Sequence, residues 1–200
     1  MKRLAALSLL ALVAACAHRA PPPAALPAPT AKDLPRPDAI PGTFTVRQKL
    51  TARSAHGGGS FEAVLQKKPG EVLLVGLTPY GSRAFVLRQT DADVQLTSYI
   101  PRELPFPPTY ILLDVHRVLD AWLGPGLASG ERSGMVDGER VDERWRDGKL
   151  VERRFKRVAV AASDVTITYS GDGPAGLAAR VTLENHRFGY TLTVESFSAR

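Results

Sequence analysis

Val72-Leu73-Leu74-Val75-Gly76-Leu77-Thr78-Pro79-Tyr80-Gly81-Ser82-Arg83-Ala84-Phe85-Val86-Leu87 reads as a strand, a tight turn and a returning strand. Val72 to Leu77 is apolar throughout, which predicts a strand covered on both faces. Thr78 to Ser82 places proline and glycine where a reversal needs them, and Arg83 to Gln89 carries the chain back. Period two persists outward from this hairpin. Upstream, Phe44, Val46, Gln48 and Leu50 alternate with Thr45, Arg47, Lys49 and Thr51. His56-Gly57-Gly58-Gly59-Ser60 is expected to turn the chain, after which Phe61, Ala63 and Leu65 alternate with Glu62, Val64 and Gln66, and Pro69-Gly70 turns it again. Downstream, Asp91-Ala92-Asp93 precedes a strand from Val94 to Ile100. Short strands joined by short turns predict an antiparallel meander.

The pattern breaks at the proline-rich loop from Pro101 to Pro108, which carries Leu104 and Phe106. The spacing of Ile111, Val115, Val118 and Trp122, widened by Leu112, Leu119 and Leu123, predicts a helix from about Thr109 to Leu123. Asp114, Arg117 and Asp120 would mark its wet side, and Gly124-Pro125-Gly126 its end. So broad an apolar face needs a concave apolar partner, and the helix either plugs a sealed core or lines a ligand cavity. Beyond a Gly/Ser-rich stretch ending at Gly134, strands resume. Asp147-Gly148 is a two-residue hairpin signal between Arg140–Arg146 and Lys149–Arg157. Charge dominates both flanks, so Glu139 and Glu143 are expected in water. Alternation returns over Val165–Tyr169, Leu177–Leu183 and Phe188–Glu195. The reading is mainly β (α+β), with about ten to eleven antiparallel strands and no internal repeat.

The N-terminus decides location. Lys2 and Arg3 precede an apolar run from Leu4 to Ala15 broken only by Ser8, too short to span a bilayer comfortably as a mature helix. Residues 1–15 therefore read as a signal peptide. Leu12-Val13-Ala14-Ala15-Cys16 resembles the lipobox of bacterial lipoproteins, which implies that Cys16, the sole cysteine of the 200-residue chain, is acylated as the first mature residue. An unpaired thiol is a liability in an oxidising compartment, whereas one consumed in a thioether is not. Several acyl chains, at about 0.8 kcal/mol per buried methylene, make a stable anchor. Ala17 after the cysteine resembles the outer-membrane default. Residues 16–41 form a Pro/Ala-rich tether, biased toward extended polyproline II. Its boundary falls near Ile40, and Leu34 and Ile40 are candidates to pack back on the domain of residues 42–200.

Losing Lys2 and Arg3 with the signal lowers the net charge from +6 to +4. The remaining basic residues are scattered, which suits a solvated surface; nucleic acid is not expected as a partner. Motifs that suggest catalysis lack their context. His56-Gly57-Gly58-Gly59 matches an esterase oxyanion loop, but no Gly-x-Ser-x-Gly nucleophile elbow accompanies it. Gly171-Asp172-Gly173-Pro174-Ala175-Gly176 fits a dinucleotide fingerprint, yet strand alternation rather than a helix follows, so it reads as a turn. Histidines at 18, 56, 116 and 186 lack metal-ligand spacing, and His116 reads as a surface or core-edge residue. No enzyme, cofactor or metal emerges.

A family resemblance does. Leu77-Thr78-Pro79-Tyr80-Gly81-Ser82-Arg83-Ala84-Phe85-Val86-Leu87 resembles the strand, Pro-x-Gly turn and returning strand of LolB-type outer-membrane lipoproteins. Val118-Leu119-Asp120-Ala121-Trp122-Leu123-Gly124 is similar to that family's helix ending, and Arg180 to Glu195 to its last two strands. The chain also resembles a family of bacterial lipoproteins of unknown function grouped with LolA and LolB. The resemblance implies an open antiparallel half-barrel with a greasy concave face capped by one or more helices. It also implies a monomer on the periplasmic face of the outer membrane of a Gram-negative bacterium, binding the acyl chains of lipids or lipoprotein cargo. A periplasmic carrier protein is then a candidate partner. Phe61, Leu65, Leu74, Phe85, Leu87, Val115 and Trp122 are the candidate lipid-cavity residues. Tyr80 matches the turn position that assists membrane insertion in the family; the alternative is a turn residue packed on its neighbours. The competing function is a non-catalytic assembly lipoprotein with a sealed core, binding a protein partner.

Overall fold

The computed structural model describes residues 29–55, 57–101, 107–157 and 165–199. Cys16, the signal segment, the tether up to residue 28, His18, His56, Leu104 and Phe106 lie outside the described residues. The first half is a meander of five strands: β1 (Phe44–Ser54), β2 (Gly57–Lys68), β3 (Glu71–Leu77), β4 (Arg83–Thr90) and β5 (Val94–Ser98). One helix follows, α1 (Pro108–Leu119). A second meander comprises β6 (Gly130–Val136), β7 (Glu139–Arg146), β8 (Lys149–Arg157), β9 (Val165–Asp172), β10 (Ala178–Asn185) and β11 (Tyr190–Ala199). All pairs are antiparallel, and the order β5-β4-β3-β2-β1-β11-β10-β9-β8-β7-β6 leaves the sheet open, with β5 and β6 as free edges. The fold is the expected mainly β, open half-barrel.

Period two does the sorting. Val46, Gln48 and Leu50 of β1, Ala63 and Leu65 of β2, and Val72, Leu74 and Gly76 of β3 are buried while their neighbours are not. The prediction that both faces of Val72–Leu77 are covered is thus corrected. Leu73 and Val75 are only half-buried, because among the described residues no second layer packs on the convex side. Lys49 and Thr51 face outward beside charged cross-strand pairs such as Arg47–Glu62 and Arg88–Glu71. Asp147 (φ 51°) and Gly148 (φ 74°) make the predicted β7–β8 turn in the left-handed conformation that favours Asp-Gly. Asp137 (φ 49°) and Gly138 (φ 77°) do the same between β6 and β7.

Two further expectations are corrected. Gly57 to Ser60 belong to β2 rather than to a turn, because β1 and β2 stay in register out to Ser54 and Gly57. The Gly/Ser-rich stretch contains β6; its polar and glycine residues suit a thin edge strand paired on one side only. Of the Gly171–Gly176 segment, expected to be a turn, Gly171 and Asp172 end β9, and Gly173 to Gly176 make the turn to β10 through a single 3-10 turn at Pro174–Gly176. At the N-terminal side, Leu34, Pro37 and Ile40 are buried against the domain, and the Gln89 side-chain N–H donates to the Pro35 carbonyl at 2.7 Å.

The link from β5 to β6 must pass from one sheet edge to the other, and its helix lies over the concave face. α1 is part of this link and packs on two apolar clusters. One is built from β1–β4 with Leu34, Ile40 and Leu112; the other centres on Val141, Phe155, Val165, Ile167, Val181 and Leu183. The helix ends at Leu119 rather than Leu123. Asp120 is extended (φ −68°, ψ 151°) and its carboxylate returns to His116 Nδ1 at 2.9 Å, so the helical phase stops there. The expected wet side is also overturned. Asp114, Arg117 and Asp120 are buried, as is His116, because this flank of the helix faces polar side chains of the sheet rather than water.

Candidate functional site

A cavity of about 1670 Å³ is bounded by α1 and the concave face. That exceeds the roughly 300–1,000 Å³ of ordinary small-molecule sites. Leu50, Leu65, Leu74 and Phe85 form its wall on the sheet side, and Ile111, Val115, Val118 and Leu119 form it on the helix side. Phe85 can lie flat along the wall because it stands opposite Gly76, where a Cβ would come within 2.2 Å of its ring. Its ring packs edge-to-face on Phe61, with centroids 6.0 Å apart.

Of the sequence-derived candidates, the structure brings Phe61, Leu65, Leu74, Phe85 and Val115 together on this lining. Leu87 and Trp122 lie elsewhere, and both placements are corrections. Leu87 is fully buried within the packed cluster of β1–β4, shut off from the cavity. Trp122 falls beyond the helix end, so it leaves the Ile111–Val115–Val118 face. Its ring meets Phe155 edge-to-face at 5.3 Å, and its indole N–H donates to the His116 carbonyl at 3.0 Å. Tyr80 stands on the β3–β4 turn at the cavity margin and is 94% exposed.

The cavity also has a polar floor that the sequence reading missed. Arg153 and Glu143 project inward from β8 and β7 as a buried ion pair at 2.8 Å, and Arg132 closes on the same carboxylate at 2.7 Å. Arg153 then donates to the carbonyls of Arg117 (2.7 Å), Val118 (3.3 Å) and Asp120 (2.9 Å), capping the C-terminal end of α1. Those carbonyls are the orphan acceptors of a helix end, and a cation there also meets the negative pole of the helix dipole. The Tyr169 hydroxyl donates to the Val118 carbonyl at 3.0 Å, and burial pushes its phenol up to about 12. The Tyr190 hydroxyl donates to the Asp114 carboxylate. The expectation that Glu139 and Glu143 stand in water is therefore corrected: Glu143 is buried in this ion pair, and Glu139 is largely covered beside Arg117 and Arg187. Alternation with Val141 and Trp145, and with Val151 and Phe155, was the signal that could have placed Glu143 and Arg153 inside.

Burial pushes the Asp114 carboxyl above its ordinary range despite the Tyr190 hydroxyl and the Arg117 guanidinium beside it. Burial raises Asp120 likewise, against the pull of His116. On Glu143 burial also acts upward, but Arg153, Arg132 and the Trp145 indole outweigh it and hold the carboxyl low. Glu139 is held low in the same way by Arg117 and Arg187. The signs differ. Asp114 and Asp120 contribute fully below the ordinary carboxylate value, and that contribution is lost as pH rises through their raised folded values. Glu139 and Glu143 contribute above the ordinary value and lose it as pH falls through their depressed ones. Asp114→Asn is therefore expected to flatten the decline in stability toward neutral pH, leaving the acid limb intact. Urea midpoints measured across acid and neutral pH check this; an unchanged slope would refute it.

A LolA-like half-barrel is the class that this open sheet, with a helix laid across its greasy concavity, defines. By structure the chain is similar to a LolA superfamily protein from Nitrosomonas europaea, with a TM-score of 0.50 and 11% identity over 79% of this chain and 85% of that one. A candidate outer membrane lipoprotein-sorting protein domain from Vibrio parahaemolyticus aligns with a TM-score of 0.47 and 10% identity, over 80% and 85% of the two chains. No curated protein matches the sequence. The chain belongs to the family described as "Protein of unknown function (DUF3261)", whose pattern covers residues 45–198.

Proposed function

We propose that the protein is a lipid-anchored carrier that binds the acyl chains of lipids or lipidated cargo in this cavity and assists their transfer at the outer membrane. The observation that carries the reading is the cavity itself: about 1670 Å³ of largely apolar space under α1, where a close-packed core would have supported an assembly lipoprotein instead. Apolar chains bind such a space without direction, at about 25 cal/mol per Å² buried, and need no catalytic residue. The LolA-like fold is consistent with the reading. In it, Cys16 is the anchor, residues 16–41 hold the domain near the bilayer, and Tyr80 presents an aromatic ring with a polar tip to the interface. The periplasmic location and a monomeric carrier cycle follow from the same reading.

Native mass spectrometry of the domain purified from its own cells tests the proposal. The expected spectrum contains adducts with the masses of acylated ligands. A bare apo mass under gentle ionisation would count decisively against transport. Separately, Cys16→Ser is expected to shift the protein from the membrane fraction to the soluble one while the domain stays folded by circular dichroism. Retention in the membrane would remove the anchor from the proposal.

A further inference from the structure

Period two puts Gln48 on the concave face between Val46 and Leu50, with Ala63 opposite it on β2 and Ser196 opposite it on β11. The residue is only 7% exposed, yet its side chain is half used. One amide N–H donates to the Ser196 hydroxyl oxygen at 3.0 Å, while the amide oxygen has no hydrogen bond among the described residues. The Ser196 hydroxyl hydrogen likewise has no acceptor among them. The amide oxygen is not sealed in protein, and both residues line the cavity, so the unused groups open onto it. Turning the amide over only exchanges the roles, because the hydroxyl would then donate to the amide oxygen and leave an amide N–H and a hydroxyl lone pair. In either orientation the pair offers a ligand one donor and one acceptor. The groups of the polar floor differ: Arg153, Glu143 and Tyr169 are spent on one another and on the end of α1. A half-satisfied amide in a greasy wall costs stability that an aliphatic side chain would not, and such departures from the pattern sit at binding sites.

We infer that Gln48 and Ser196 form a polar subsite in the cavity wall, and that the chain bound there carries a group able both to donate and to accept a hydrogen bond: a hydroxyl on the chain, or the secondary amide of an N-acyl linkage. The inference rests on the chain-binding reading given above and deepens it. A plain hydrocarbon lying over the pair covers both polar atoms and leaves them unpaired, and an ester carbonyl can only accept, so it leaves one of them unpaired. A hydroxyl or an amide N–H and C=O answers both. The wall thus selects among acyl ligands by what the chain carries.

The test uses the full-length chain carrying Cys16→Ser, with cis-parinaric acid as the fluorescent probe. The competitors are palmitate, β-hydroxypalmitate, ω-hydroxypalmitate and N-palmitoylglycine, all of which carry a carboxylate, so that head charge cancels. At least one of the three substituted chains is expected to displace the probe at about tenfold lower concentration than palmitate, the gain from two hydrogen bonds of ordinary net strength. The preferred competitor identifies the group and its place on the chain. Gln48→Leu should bring that ratio to about one while palmitate binds as well as before, which a merely structural role for Gln48 would not produce. Ser196→Ala, which removes one partner only, should reduce the ratio to about threefold. Equal displacement by all four competitors, or a tenfold preference that survives either substitution, overturns the inference while leaving chain binding in place. Failure of the probe to bind overturns chain binding as well.

Discussion

Arg153→Ala is expected to lower the free energy of unfolding by about 3–5 kcal/mol, the range for breaking a buried ion pair from one side. The side chain is almost wholly enclosed, and it serves Glu143 and three carbonyls at the end of α1 together. Its removal leaves the Glu143 carboxylate with Arg132 and the Trp145 indole, while of the three carbonyls it capped Val118 keeps the Tyr169 hydroxyl. Urea titration measures the loss. Arg153→Lys separates charge from geometry: a lysine can neutralise Glu143 but cannot spread a planar fork over the helix carbonyls, so a smaller loss of about 1–3 kcal/mol is expected. A loss under about 1 kcal/mol for the alanine variant would mean that α1 is held to the sheet by its apolar contacts alone.

Ala52→Trp is expected to weaken binding of cis-parinaric acid roughly fifty-fold without lowering stability. Ala52 is half-buried, pairs with Gly59 and Leu192 across the sheet and borders the cavity, so an indole there enters existing space rather than a packed core. Displacing about three methylene groups of a bound chain, at about 0.8 kcal/mol each, accounts for that factor. Fluorescence titration of the full-length Cys16→Ser chain reads it directly. An unchanged affinity alongside an unchanged urea midpoint would place any bound chain outside this cavity, and the carrier reading would fall with it.

Much of the fold was legible because strand formation is a local, periodic property. The alternations at Phe44–Leu50 and Phe61–Gln66 and the Asp147-Gly148 turn each declare themselves within a few residues. β6 was missed although Asp137-Gly138 carries the same hairpin signal as Asp147-Gly148; composition, rich in glycine and serine, was weighed above the turn chemistry that frames it. The cavity lining was legible where a candidate sat on a strand, as with Leu65 and Leu74, since one buried residue sets the facing of the others. It was less so at the helix end, where Asp120 turning back to His116 takes Trp122 out of phase.

The sequence by itself determined the strands, most of their turns and the helix, because each depends on neighbours along the chain. Only the tertiary structure decided what the charges do. Asp114, Arg117 and Asp120 look like a wet helix face and Glu143 like part of a solvated hairpin, yet all are buried: Asp114 meets Tyr190, Arg117 meets Glu139, Asp120 meets His116, and Glu143 meets Arg153, which also caps the helix carbonyls. Removing one such charge from water is prohibitive; removing partners together, with their hydrogen bonds supplied by strands distant in sequence, is not. That pairing exists only once β7 and β8 have come round beneath the helix, and with it comes the polar floor of the cavity.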